Sequence, residues 1–202
     1  MKSATVPLFL RIFYPSLLWW MPAGNKRLYL TFDDGPHPVV TPQVLDILAK
    51  YDARATFFCV GKNVEKHSEV YHEILAQGHR TGNHSYHHIN GWQTSLKVYY
   101  KNAILCRNLV DSTLFRPPYG RITPSQIQTL KKEFTIVMWS VLSYDFDHET
   151  SPGQCIDYVL KNTKDGAIIV FHDSKKAAPN LLKALPVILP HFSKLGYSFE
   201  TL

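Results

Sequence analysis

The stretch "LYLTFDDGPHPVVTPQVLDILAKY", residues 28–51, holds the pattern that decides the fold. Its first five residues are apolar or of high β-propensity, the composition of a short buried strand. Asp33-Asp34-Gly35-Pro36 ends that run, and "TPQVLDILAKY", residues 41–51, carries apolar residues at helical spacing. This unit of strand, polar break and helix recurs down the chain. "ATFFCV" (55–60), "FTIVMWSV" (134–141), "AIIVFH" (167–172) and "YSFETL" (197–202) read as further strands. "NVEKHSEVYHEILAQG", "SLKVYYKNAILCRNLV", "PSQIQTLKKE", "CIDYVLKNTK" and "NLLKALPVILPHFSKLG" read as helices. Such alternation implies an α/β protein with a parallel sheet, either a closed or nearly closed β/α barrel or an open doubly wound sheet. In both, a site belongs at the carboxyl ends of the strands.

The length of 202 residues and 45% hydrophobic content suit one domain with a large core. The net charge of +6 comes from scattered basic residues with no reading motif, so nucleic acid is not expected as a partner. An anionic polymer or a membrane surface remains compatible with it. Cys59, Cys106 and Cys155 are far apart, in no C-x-x-C arrangement, and read as ordinary buried thiols. Residues 1–27 form an apolar segment ahead of a domain spanning 28–202. Within it "ATVPLFLRIFYPSLLWWMPAG", residues 4–24, approaches the ~20 residues of a membrane span, but three prolines and Arg11 argue against a clean one. The segment is expected to pack on the domain. Membrane-surface contact through residues 4–24, with Trp19 and Trp20 at the interface, and a signal peptide are the alternatives. A cytoplasmic or membrane-associated location is accordingly expected ahead of a secreted one.

Five stretches place polar groups after apolar runs. Asp33 and Asp34 would point to opposite faces of a regular strand, but Gly35-Pro36 breaks the pleat and lets neighbouring side chains converge on one cavity. In "TGNHSYHHING", residues 81–91, His84 and His88 are four apart and share a face if a helical turn starts there; His87, three from His84, competes. Imidazole and carboxylate donors suit Zn²⁺, with Co²⁺, Ni²⁺, Mn²⁺ and Fe²⁺ also compatible, and two His with one Asp leave open positions, a catalytic pattern. "FRPPYG", residues 115–120, holds Arg116 and the Tyr119 amide on a rigid Pro-Pro turn. "WSVLSYDFD", residues 139–147, places Asp145 and Asp147 just past a strand, and "IIVFHDS", residues 168–174, closes one with His172.

Taken in order, TFDDGP, H-S-x-x-H, R-x-P-Y-G and I-V-x-H-D resemble the motifs of the polysaccharide deacetylases of carbohydrate esterase family four, the NodB homology domain. The resemblance implies a distorted (β/α) barrel of about seven parallel strands and a divalent metal, usually zinc. It implies Asp34, His84 and His88 as metal ligands, with His87 left out. Asp33 would be general base, His172 general acid, Arg116 the residue orienting Asp33, Tyr119 an oxyanion donor through its backbone N–H, and Asp145 the partner of His172. The fourth motif departs from the pattern. Where many members read D-x-x-D-W, this chain reads Leu142-Ser143-Tyr144-Asp145-Phe146, so an altered pocket shape is expected. The implied activity is hydrolysis of N-acetyl groups on amino-sugar polymers or oligomers, peptidoglycan or chitin-like. O-deacetylation of a xylan-like glycan and a silent glycan-binding domain are the alternatives.

Overall fold

Strand β1, Arg27–Asp33, is buried at every residue after the first in the computed structural model, which describes residues 2–202. Helix α1 (Leu8–Phe13) precedes it, and α2 (Val40–Ala49), β2 (Ala55–Cys59), α3 (Gly61–Lys66), α4 (Ser68–Ala76), β3 (Arg80–Asn83) and α5 (Leu96–Arg107) follow. The chain continues through β4 (Leu114–Phe115), α6 (Pro124–Leu130), β5 (Thr135–Ile136), β6 (Val141–Leu142), α7 (Pro152–Asn162), β7 (Ile168–His172), α8 (Ala178–Lys194) and β8 (Ser198–Phe199). Seven strands lie in the order β5-β4-β3-β2-β1-β7-β6, all pairs parallel, and β8 pairs with the start of β1. Surrounded by helices, they form the curled, distorted (β/α) barrel expected.

Parallel strands covered on both faces read as continuous apolar runs, which is why β1, β2 and β7 were visible in the sequence. Alternation sorts their side chains. Leu28, Leu30 and Phe32 join the cluster under α2, α7 and α8, where the Phe32 ring lies 4.9 Å from Phe57 and 5.9 Å from Phe171. Thr31 and Asp33 belong to the opposite, interior set, with Tyr29. The β1–β7 register sets Asp33 beside His172 at the carboxyl ends of the two strands.

Several boundaries differ from expectation. The run 134–141 is not one strand, because the chain changes partners along it. Val137 N–H donates to the Phe115 carbonyl, Met138 to Leu18 and Ser140 to Ile168. The helix expected over 63–78 is divided at His67, whose φ of −132° is non-helical, and only Ser198–Phe199 of the last apolar run pairs. Strands β3 and β4 were not anticipated. The first reads "RTGN" and the second has two residues, so neither offers a periodic apolar signal.

The N-terminal segment packs on the barrel. Leu18 exchanges hydrogen bonds with Ile136 and Met138, the Ala4 carbonyl accepts from Leu142 N–H, and Met21 N–H donates to the Gly166 carbonyl. These bonds occupy backbone groups that edge strands would otherwise leave open. Leu17 and Trp19 are buried, and the Trp19 indole donates to the Tyr14 carbonyl. Trp19 is therefore not placed to meet a membrane interface. No helix among the described residues is long and apolar enough to cross a membrane. All three cysteines are buried and unpaired.

Candidate active site

The two aspartates part company at the end of β1. Asp33 keeps the strand's interior orientation, while Asp34 has φ +80° and is followed by a cis Gly35–Pro36 peptide. That reversal carries the Asp34 carboxylate into the same cavity from a different side. A side chain at Gly35 would run into the Asp173 carboxylate, so glycine is the residue the turn accommodates.

Arg116 fixes Asp33. Its Nη1 donates to Asp33 Oδ1 at 2.7 Å and to Thr31 Oγ1 at 2.7 Å, and its Nη2 to the Met138 carbonyl at 2.9 Å. The guanidinium lies 4.1 Å over the Phe58 ring and has no exposed surface.

On the other side, Asp34 Oδ1 lies 3.1 Å from His88 Nε2 and 3.7 Å from His84 Nε2. His84 follows β3, and its Nδ1 donates to the Arg116 carbonyl at 2.9 Å, leaving Nε2 to face Asp34. Burial pushes the His84 imidazole down to about 4, so the ring is neutral, as a metal ligand must be. Burial alone would raise Asp34. The hydrogen bond from His88 and the nearby imidazoles outweigh it and hold the carboxyl well below the usual carboxylate range. No helical turn joins the two histidines. Positive φ at Ser85 (61°) and His88 (54°) brings them together, correcting the helical-face expectation. His87 is drawn off to α5, where Asn102 Nδ2 donates to its Nδ1 at 2.8 Å and Asn102 Oδ1 accepts the Tyr86 and His87 N–H groups.

The donor set fits a divalent ion. Tetrahedral ligands at ~2.0–2.2 Å from zinc sit about 3.3–3.6 Å from one another, against the 3.1 and 3.7 Å found here. Asp34, His84 and His88 are the one group of metal-binding donors found together among the described residues.

The third wall is β7 and the loop after β6. Asp145 accepts from His172 Nδ1 at 2.8 Å and from the His172 backbone N–H at 2.7 Å. Burial lowers the His172 pKa, but the Asp145 carboxylate, with Asp34 and Asp33 behind it, overrides this and pushes it up to about 9. The other acid of that stretch, Asp147, pairs with Lys2. Phe146 packs edge-on to His172 at 4.7 Å, and Leu142 lines the cavity where the common pattern has an acid. Tyr119, with φ 60°, leaves its N–H without a partner among the described residues, and its hydroxyl lies 3.2 Å from His88 Nδ1. The resulting cavity of about 580 Å³ is lined by Asp33, Asp34, His84, His88, Tyr119 and His172.

Sequence reasoning missed the positioning groups. Asn180 on α8 donates to the Asp145 and Thr150 carbonyls, fixing the loop that carries Asp145. Asp173 accepts from Gly35 N–H at 3.1 Å and Thr41 Oγ1 at 2.5 Å, tying the Asp-Asp turn to β7. Burial pushes the Asp173 carboxyl up to about 7. Only the position of Asp173, one residue past a strand-ending histidine, signalled it.

A curled parallel barrel with a carboxylate–histidine donor set and a second carboxylate–histidine pair at its carboxyl end defines a metal-hydrolase class of site. Residues 21–134 match the polysaccharide deacetylase family. A peptidoglycan-N-acetylglucosamine deacetylase of Bacillus cereus is 35% identical over 191 residues, covering 91% of this chain and 89% of the relative. A peptidoglycan-N-acetylmuramic acid deacetylase of Bacillus subtilis is 34% identical over 172 residues, 80% of this chain but 36% of that longer protein. Among solved structures, a peptidoglycan N-acetylglucosamine deacetylase in complex with 4-naphthalen-1-yl-N-oxidanyl-benzamide superposes with a TM-score of 0.87 at 30% identity, covering 98% of this chain and 95% of that one. The chain belongs to the polysaccharide deacetylase family, carbohydrate esterase family four.

Elemental analysis of folded variants tests the donor assignment. His84→Ala and His88→Ala should each lose a bound divalent ion, since two protein ligands hold an open site poorly, while His87→Ala should retain it. Equal loss in all three would contradict it.

Proposed function

We propose that this chain hydrolyses N-acetyl groups on amino sugars of a peptidoglycan-type glycan, with Zn²⁺ the ion best matched by Asp34, His84 and His88 among Zn²⁺, Co²⁺, Ni²⁺, Mn²⁺ and Fe²⁺. The carrying observation is the division of labour at the end of β1. One carboxylate is engaged by a buried arginine, and its neighbour is turned toward two imidazoles. The activities of the Bacillus relatives supply the glycan.

When bound, a divalent ion polarises the acetyl carbonyl and makes water a stronger acid. Asp33, itself only 4% exposed and aimed by Arg116, accepts the proton of the attacking water. The unpartnered Tyr119 N–H is the donor for the developing oxyanion. His172, with Nδ1 engaged by Asp145, presents Nε2 as the acid that protonates the leaving nitrogen. An amine is a poorer leaving group than an alcohol, so an imidazole held charged suits amide hydrolysis.

Acetate release by the full chain, supplied with Zn²⁺, should be seen from peptidoglycan or chitin oligomers. Release from acetylated xylan alone would replace this reading with the O-esterase one, and release from none under any of the five metals would end it.

The pH dependence follows from His172. Because its folded-state value is raised from 6.5 to about 9, the charged ring persists through neutral pH and is lost on the alkaline side. The kcat profile should fall there, and Asp145→Asn should move that limb to lower pH. A limb that stays in place with unchanged kcat would remove Asp145 from the mechanism.

A further inference from the structure

A second cavity, of about 600 Å³, adjoins the catalytic one and shares Tyr119, Gly120, Trp139 and Leu142 with it. Its far wall is the N-terminal segment, through Val6, Leu10, Tyr14 and Leu17. No charged side chain lines it. Its polar groups are largely committed within the protein. The Trp19 and Trp92 indoles donate to the Tyr14 and Ile122 carbonyls, the Tyr144 hydroxyl to the Ser3 carbonyl, and the Ser3 hydroxyl to the Thr5 carbonyl. A further sugar ring would bury hydroxyls with few partners here, which is unfavourable. An aliphatic chain asks only for apolar contact. The volume is in the range of a ligand cavity. At its rim, α1 turns Leu8, Phe9, Ile12 and Phe13 outward with 56–74% of each exposed, so apolar surface runs from the outside of the molecule to the catalytic pocket.

We propose that this cavity holds the aliphatic chain of an amphiphilic, lipid-linked substrate while its acetylated amino sugar occupies the catalytic pocket. The proposal rests on the deacetylase reading above and narrows its substrate class. The N-terminal segment then acts in specificity as well as in closing the sheet edges.

The test uses methyl and dodecyl glycosides of N,N′-diacetylchitobiose with the full chain, below the micellar concentration of the dodecyl compound. A neutral naphthylamine dye should bind the metal-free protein and be displaced by the dodecyl glycoside, not by the methyl one. With Zn²⁺ present, KM should be at least tenfold lower for the dodecyl glycoside. Ile122→Glu, or Val6→Glu should that variant fold poorly, should abolish both differences while leaving kcat and KM for the methyl glycoside unchanged. Equal KM values, no effect of either variant, or displacement of the dye by chitotriose in place of the dodecyl chain would overturn the proposal and leave the deacetylase reading intact. Dye release by the dodecyl glycoside with no hydrolysis of either compound would overturn the deacetylase reading instead.

Discussion

The rest of the site depends on one buried cation. Arg116 sits inside the barrel with no exposed surface, and taking such a charge out of water costs several kcal/mol unless it is paired and hydrogen-bonded. It is both. Its guanidinium donates to a carboxylate, a hydroxyl and the Met138 carbonyl, with Phe58 beneath it. Removing one partner of such a pair typically costs ~3–5 kcal/mol, so the pair constrains both fold and chemistry. It links the end of β1, the start of the Pro-Pro turn and the chain crossing between β5 and β6. With Asp33 held in this way, the positive φ at Asp34 releases the second carboxylate for a different task.

Strand register then places the proton-handling groups. Asp33 and His172 are register partners on adjacent strands, so the proposed base and acid flank the cavity. The proposed donors of the ion site come from the turn just after β1 and from the loop after β3, on the other side of Asp33. Asp33, His84 and His172 are each oriented by a partner beyond the cavity: Asp33 by the Arg116 guanidinium, His84 by the Arg116 carbonyl and His172 by Asp145, whose loop Asn180 holds. Such support keeps reacting groups in place before substrate arrives.

How much of this was legible depends on local signal. β1, β2 and β7 were visible because strands covered on both faces are uniformly apolar, and the adjacent aspartates because they interrupt such a run. β3 and β4 were invisible because pairing with neighbours, not their own composition, makes them strands. The convergence of His84 and His88 was anticipated but its cause was not. Spacing of four suggested a helix, whereas two left-handed residues, Ser85 and His88, bring the rings together, and neither is a glycine that would announce the turn. Asn102 and Asn180 lie on helices and look like solvated polar residues until tertiary contacts show what they hold. The N-terminal segment was expected to pack on the domain, with a membrane anchor as an alternative by composition, and its pairing with Ile136, Met138 and Leu142 shows where it packs on the barrel edge.

The separation of roles between the two neighbouring aspartates is the central claim, and Asn substitution tests it with little change of shape. Asp33→Asn retains an oxygen that can accept from Arg116 but cannot take a proton from water. It should keep full metal content and lose roughly 10²–10⁴-fold in kcat, the usual contribution of a general base. Asp34→Asn should lose metal, with activity recovering as Zn²⁺ is raised. Near wild-type kcat in metal-saturated Asp33→Asn, or undiminished metal affinity in Asp34→Asn, would contradict the account.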